Sequence, residues 1–282
     1  MIVFYNDRYI PLEEVAISPF DRGFLFADGV YESIRTYNRR LFKYDEHLTR
    51  LKRSLNELKI NYKNVEHLEG AIYKLIELND LHKTQALVYL QITRGKQFPR
   101  KHNFSQAEPD PTIFISANKF TSDLKEQKEG IKIILHEDLR WLRCDIKSTS
   151  LLPVILANQK AAEARAKEAI FIRDKMVTEG THTNFFAIKN KQVFTAPLSN
   201  LILEGVTRKV VMAICKELVV PVNEEHIKKS ELKTYDEFFI TSTTKEITPV
   251  VQIDEHKIGN GDPGNVTKKL QTALYRITKE YK

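Results

Sequence analysis

Cysteine is nearly missing from this chain: Cys144 and Cys215 are the only two in 282 residues. Neither lies at a metal-ligand spacing, and two thiols build no disulfide framework, so a reducing, cytoplasmic setting and no metal are expected. Long apolar runs are absent too. No stretch approaches the roughly 20 residues of a membrane helix. The opening "MIVFYNDRYIPLEE" has no basic segment leading into an apolar one, so no signal peptide is expected. Blocks of one charge are also lacking, since 44 Lys and Arg are interspersed with 37 Asp and Glu for a net charge of +7. A nucleic-acid-binding module would need clustered Lys/Arg with exposed aromatics, and the sequence shows neither. Mixed charge of this kind is a solvated face, with a slight bias towards anionic small molecules.

With 42% hydrophobic and 29% charged residues the chain is an ordinary globular protein rather than a disordered one. It is long enough for one large or two modest domains. "MIVFYNDRYIP" reads as a hairpin around Asn6-Asp7, and "VYESIRTY" as a strand. "YDEHLTRLKRSLNELKI" switches to helical spacing, with Leu48, Leu51, Leu55 and Leu58 on one stripe. "NVEHLEGAIYKLIELNDL" is a second helix, and "QALVYLQITRG" and "PTIFISANKF" are strands. The polar "TSDLKEQKEG" marks a boundary, giving an N-terminal α+β domain over 1–120 and a C-terminal domain over 121–282. In the second part, helices are expected over about 149–167, over "EGVTRKVVMAICKEL" and at the C-terminus, with strands between them.

Several polar residues sit in unusually apolar surroundings. Lys147, in "DLRWLRCDIKSTSLL", has Trp141, Leu142, Ile146, Leu151 and Leu152 as neighbours in the chain. Burial would disfavour its ammonium form and leave a nucleophilic amine; alternatively its head reaches solvent along an apolar surface. Glu179 in "VTEGTHTNFF" ends a strand, or lies in a plain exposed turn. "ILEGVTRKVV" is a strand-to-helix junction that points N–H groups at an anion, or one where Thr207 is only a cap. "FITSTTKEITPV" offers hydroxyls to phosphate oxygens, or is an edge strand. His47 and Arg50, three apart on one helix face, read on their own as surface residues. Taken together, an amine, an acid and a phosphate cradle are what pyridoxal phosphate chemistry requires.

The fragments "DRGFLFADGVYE", "EHLTRL", "ITRG", "EDLRWLRCDIKS", "TEGTHTNFF", "LILEGVTR" and "ITSTTKEITPV" occur in order over essentially the whole chain. In them the sequence resembles the class IV, fold-type IV pyridoxal-phosphate aminotransferases, and within that family the D-amino acid enzymes. The resemblance implies a two-domain α+β fold with pyridoxal 5'-phosphate bound between the domains. It implies that Lys147 is the Schiff-base lysine, with Arg140 close behind it, and that Glu179 pairs with the pyridine nitrogen. Arg50, Val206, Thr207, Ser242 and Thr243 would hold the phosphate, and Leu203 would pack on a ring face. Tyr31, with Arg100 and His102 reaching over from a partner subunit, would trap the substrate α-carboxylate, which makes the active enzyme a homodimer.

Two departures concern the substrate. The stretch between Arg94 and Arg100 is one residue longer than the family pattern, and His182 stands where the D-amino acid enzymes have serine. The implied reaction is ping-pong transfer of an amino group between a D-amino acid such as D-alanine and a 2-oxo acid such as 2-oxoglutarate. The alternatives within the family are a branched-chain L-amino acid aminotransferase, which would not need Arg100 and His102, and an aminodeoxychorismate lyase. A cofactor-binding protein without catalysis would lack Lys147 or Glu179, and both are present.

Overall fold

A computed structural model of the chain describes residues 1–105 and 109–281. Asn6 and Asp7 take φ of 45° and 62°, which matches the twist of a two-residue hairpin turn. They join β1 (Ile2–Tyr5) to β2 (Arg8–Pro11), as the sequence indicates. The chain forms two compact units, one of 1–121, 146–150 and 281–282, the other of 122–145 and 151–280. The stretch 146–150, which a simple split at 120 assigns to the second half, therefore groups with the first unit.

The first unit also holds β3 (Gly29–Tyr37), β4 (Arg40–Leu41), β5 (Ala86–Thr93) and β6 (Thr112–Lys119). These make one antiparallel sheet in the order β2-β1-β6-β5-β3-β4. Its helices are α1 (Arg22–Phe26), α2 (Tyr44–Glu57) and α3 (Leu68–Leu78). The period-two alternation of β5 decides which face is core. Ala86, Val88, Leu90 and Ile92 are buried with Leu51 and Leu55 of α2 and Leu68, Ile72 and Leu75 of α3. Each buried Val, Leu or Ile side chain among them contributes roughly 1.5–3 kcal/mol. The opposite face carries Tyr31 across from Gln91 and Ser33 across from Tyr89.

The second unit has strands β7 (Ile131–Glu137), β8 (Glu168–Arg173), β9 (Met176–Gly180), β10 (Asn184–Lys189) and β11 (Gln192–Thr195). It continues with β12 (Val222–Glu224), β13 (Glu237–Ser242), β14 (Glu246–Ile253) and β15 (His256–Lys257). The sheet runs β12-β11-β10-β13-β14-β7-β8-β9, with β15 on β14. β7 is parallel to both β8 and β14. Its helices are α4 (Leu124–Glu129), α5 (Leu152–Glu163), α6 (Val206–Glu217) and α7 (Asn265–Lys279). Phe186 and Phe239 stack at 4.6 Å across β10 and β13, and the same pairing sets Asn184 opposite Thr241. The helix expected over 149–167 is shorter, because 149 and 150 belong to the stretch held by the first unit.

Candidate active site

In the first unit, Lys147 lies at a tight turn beside the start of β3, where the Ser148 N–H donates to the Ile146 carbonyl at 2.8 Å. Tyr31 donates its N–H to the Lys147 carbonyl at 3.1 Å, and Ser148 bridges Val30. The Lys147 N–H donates to Ser54 Oγ at 3.3 Å. The burial expected from its apolar chain neighbours is only partial. Trp141, Leu142 and Leu152 are exposed, and Lys147 itself is half-buried. Its surroundings come from β3 instead, because the backbone bonds turn it that way: Nζ stands 4.1 Å from the centroid of the Tyr31 ring. Tyr89, which the sequence does not single out, lies 5.8 Å from that ring and donates to Gln91 Oε1 at 2.5 Å. Burial pushes its hydroxyl up to about 12, so it stays protonated.

Arg50 and His47 are not surface residues. Both are buried on α2 against Glu32 of β3. Arg50 Nε and Nη2 each donate to the carboxylate at 2.8 Å, and His47 Nδ1 is 2.7 Å from Glu32 Oε2. Burial alone would raise Glu32, but the charge and hydrogen bonds of Arg50, then of His47, hold it well below the usual carboxylate range. Burial lowers His47, Glu32 opposes that, and the cations Arg50 and Lys147 lower it further. Glu32 carries no signal in the sequence, since its partners lie 15 and 18 positions away.

Arg100 and His102 are exposed on the loop that follows β5. Both rest on Phe26: the Arg100 guanidinium carbon is 4.5 Å from its ring centroid, and the His102 ring is 5.4 Å away. They form a pair with a platform of their own, separate from the Tyr31 ring that faces Lys147.

In the second unit, Glu179 is a buried carboxylate one residue before the end of β9 (Met176–Gly180), not an exposed turn. Arg140 Nη1 donates to Oε1 at 2.5 Å, while Asn184 Nδ2 and the Leu203 N–H donate to Oε2 at 3.2 and 2.9 Å. Burial pushes this carboxyl up to about 7 against the pull of Arg140. Arg140 also grips Asp138 through Nε and Nη2, each at 2.9 Å. Burial works against its charge, but the bonds from Asp138 and the charge of Glu179 keep the guanidinium firmly protonated.

Val206 and Thr207 are buried in the first turn of α6. The N-cap residue is Gly205, and no side chain caps the helix, so Thr207 is not the cap. An added Cβ at Gly205 would meet Asn184 Oδ1 at 2.0 Å. Only glycine lets the turn approach the residue that holds Glu179, and it leaves the first-turn N–H groups uncovered. β13 lies inside the sheet rather than at its edge. Ser242, its last residue, accepts from the Lys245 N–H at 3.1 Å, and Thr243 follows in the turn, half-buried. The neighbouring Thr241 Oγ1 is buried without a partner. His182, in the turn after Glu179, sets Nδ1 at 3.0 Å from Thr181 Oγ1 and 3.3 Å from Glu168 Oε2, with its ring partly exposed.

The sequence pattern described as Amino-transferase class IV matches residues 29–253. The chain belongs to the class IV aminotransferases. This class IV aminotransferase is 44% identical over 275 residues to the D-alanine aminotransferase of Bacillus licheniformis, covering 97% of this chain and 96% of that one. It is 39% identical over 281 residues to the D-alanine aminotransferase of Staphylococcus aureus (strain N315), covering 99% and 98%. Solved structures agree on the fold. The branched-chain amino acid aminotransferase of Escherichia coli is similar with a TM-score of 0.90 at 23% identity, over 98% of this chain and 94% of that one. The branched-chain aminotransferase of Thermoproteus uzoniensis, solved with norvaline, gives 0.87 at 26% over 100% and 96%. The α+β, fold-type IV architecture and the aminotransferase activity expected from the motifs are both borne out.

Proposed function

We propose that this aminotransferase moves an amino group between a D-amino acid, with D-alanine as the reference donor, and a 2-oxo acid such as 2-oxoglutarate. The observation that carries the reading is identity of 44% across nearly the whole chain to a D-alanine aminotransferase. The branched-chain L-amino acid reading has fold likeness at 23% and 26% identity behind it. The lyase reading has no observation in its favour.

The cofactor is pyridoxal 5'-phosphate, and the donor set fits it. The chain offers an amine on an aromatic ring, a buried carboxylate with three donors, an uncapped helix start beside a mandatory glycine, and a buried hydroxyl lacking a partner. When bound, the cofactor supplies a carbonyl that captures the substrate amine and a ring that withdraws electrons from Cα. Lys147 would be the base that takes and returns the proton of the substrate Cα. Glu179, fixed by Arg140, Asn184 and the Leu203 N–H, keeps a proton on the pyridine nitrogen. Arg50, the N–H groups of Val206 and Thr207, and the hydroxyls of Ser242 and Thr243 hold the phosphate. Leu203 would pack against the ring.

Tyr31 and the Arg100–His102 pair bind the substrate α-carboxylate, and His182 borders the substrate. Arg100 and His102 serve the site of a neighbouring copy, so the working form is a homodimer. It acts in the cytoplasm on amino acids and 2-oxo acids; among the described residues no helix is long and apolar enough to cross a membrane. Turnover of D-alanine with 2-oxoglutarate, with chiral chromatography of the product, tests the reading: D-glutamate and pyruvate are expected. Formation of L-glutamate from L-leucine, with D-alanine inert, contradicts it.

A further inference from the structure

We infer that Arg22, with Phe26 and Phe104, positions the loop bearing Arg100 and His102 and thereby sets affinity for the substrate carboxylate. This rests on the carboxylate role proposed above for that pair. Arg100, Lys101 and His102 are all exposed. A long cationic side chain on a loose exposed loop would lose much of its binding energy to ordering. What orders this loop is Arg22, which is only 4% exposed.

The Arg22 guanidinium grips the loop at two main-chain carbonyls and at the Gln97 side chain. Nη1 donates to the Lys101 carbonyl at 2.7 Å and to Gln97 Oε1 at 3.1 Å, and Nη2 donates to the His102 carbonyl at 3.0 Å. Gln97 extends the grip, its Nε2 donating to the Asn103 carbonyl at 3.2 Å. Three consecutive carbonyls, 101 to 103, are thus held from below by two side chains. The planar fork of an arginine can span two successive carbonyls in this way, while a lysine ammonium cannot match that geometry.

The rings add a second restraint. Phe26 contacts the Arg22 guanidinium at 4.9 Å as well as Arg100 at 4.5 Å. Phe104, past the held carbonyls, lies under Arg94 at 3.6 Å and Arg22 at 5.5 Å. Asp28 anchors the cluster by accepting from both Arg22 Nε and Arg94 Nε at 2.7 Å. Two guanidiniums share this carboxylate, which ties Arg22 and Arg94 to one anchor. Arg22 and Phe104 touch no reacting atom in this account; they are positioning residues.

The test measures the binding of propionate, a carboxylate without an amine, to the holoenzyme through the shift of the cofactor's visible absorbance, alongside KM and kcat for D-alanine. Arg100→Gln is expected to weaken propionate about tenfold or more. Arg22→Lys and Phe104→Leu are expected to weaken propionate and raise KM by about three- to tenfold, with kcat within about twofold. Phe104 is half-exposed, so its variant tests the claim even where a buried Arg22 variant does not fold. In the Arg100→Gln background, Phe104→Leu is expected to change propionate binding by less than about twofold, because its effect runs through Arg100. An undiminished effect in that background, or a lower Tm with unchanged propionate affinity, overturns the inference. If Arg100→Gln itself leaves propionate binding intact, the carboxylate reading of the loop falls, which is a separate and recognisable failure.

Discussion

Lys147 Nζ stands 4.1 Å from the centroid of the Tyr31 ring, while the Tyr31 N–H is bonded to the Lys147 carbonyl. The residue proposed to move the proton and the residue proposed to bind the carboxylate are therefore coupled through both backbone and side chain. Tyr31→Phe keeps the ring beneath the amine and removes only the hydroxyl. It is expected to raise KM for D-alanine by about tenfold with a smaller fall in kcat, the signature of lost substrate binding. Tyr31→Ala removes the ring as well and is expected to lower kcat too, by at least about tenfold. Steady-state kinetics on the two variants separates the contributions.

Glu179 gives a pH dependence whose sign is fixed by its environment. Its folded value of about 7 lies above its ordinary 4.5. Between those values the folded chain keeps a proton that the unfolded chain has lost, so this group's contribution is full below 4.5 and fades as pH rises through 7. A shift of that size amounts to about 3 kcal/mol. In the cofactor-free chain, wild-type stability is expected to fall relative to Glu179→Gln by up to that amount between pH 5 and 8. Denaturant unfolding of both proteins at the two pH values checks it, and parallel curves contradict it.

Glu32 compensates two groups at once. Glu32→Gln leaves Arg50 and His47 buried without their carboxylate, at an expected cost of about 3–5 kcal/mol. Double substitution to Glu32→Gln with His47→Gln is expected to cost less than the sum, since the two share one network. Thermal unfolding of the single and double variants reads the coupling.

The proposed sharing of each site between two copies makes a further prediction. Mixing Lys147→Ala with Arg100→Gln subunits under exchange conditions is expected to restore about a quarter of wild-type activity, because half of the dimers then carry one intact site. No recovery on exchange contradicts the shared site.

Much of the first unit is legible in the sequence, because its signals are local. The Asn6-Asp7 turn, the leucine stripe of α2 and the alternation in β5 each declare their element within a few residues. The site is less legible because its contacts are distant. Nothing near His47 and Arg50 announces that Glu32 will bury them, and Arg140 reveals its part only when folding brings Glu179, 39 positions on, to its guanidinium. Lys147 shows the limit most plainly. Of its apolar neighbours in the chain, Trp141, Leu142 and Leu152 are exposed, and the ring that faces its amine is Tyr31, more than a hundred residues earlier. The motifs carry more than local patterns here, because a resemblance rests on whole constellations of residues.

The most direct test of the central claim is a single turnover of the holoenzyme with D-alanine and, separately, with L-leucine, in the absence of any 2-oxo acid. The visible absorbance of the cofactor is expected to bleach with D-alanine, to persist with L-leucine, and to persist with both in Lys147→Ala. Bleaching by L-leucine alone contradicts the D-amino acid assignment, and rapid bleaching of Lys147→Ala by D-alanine contradicts the role of the lysine.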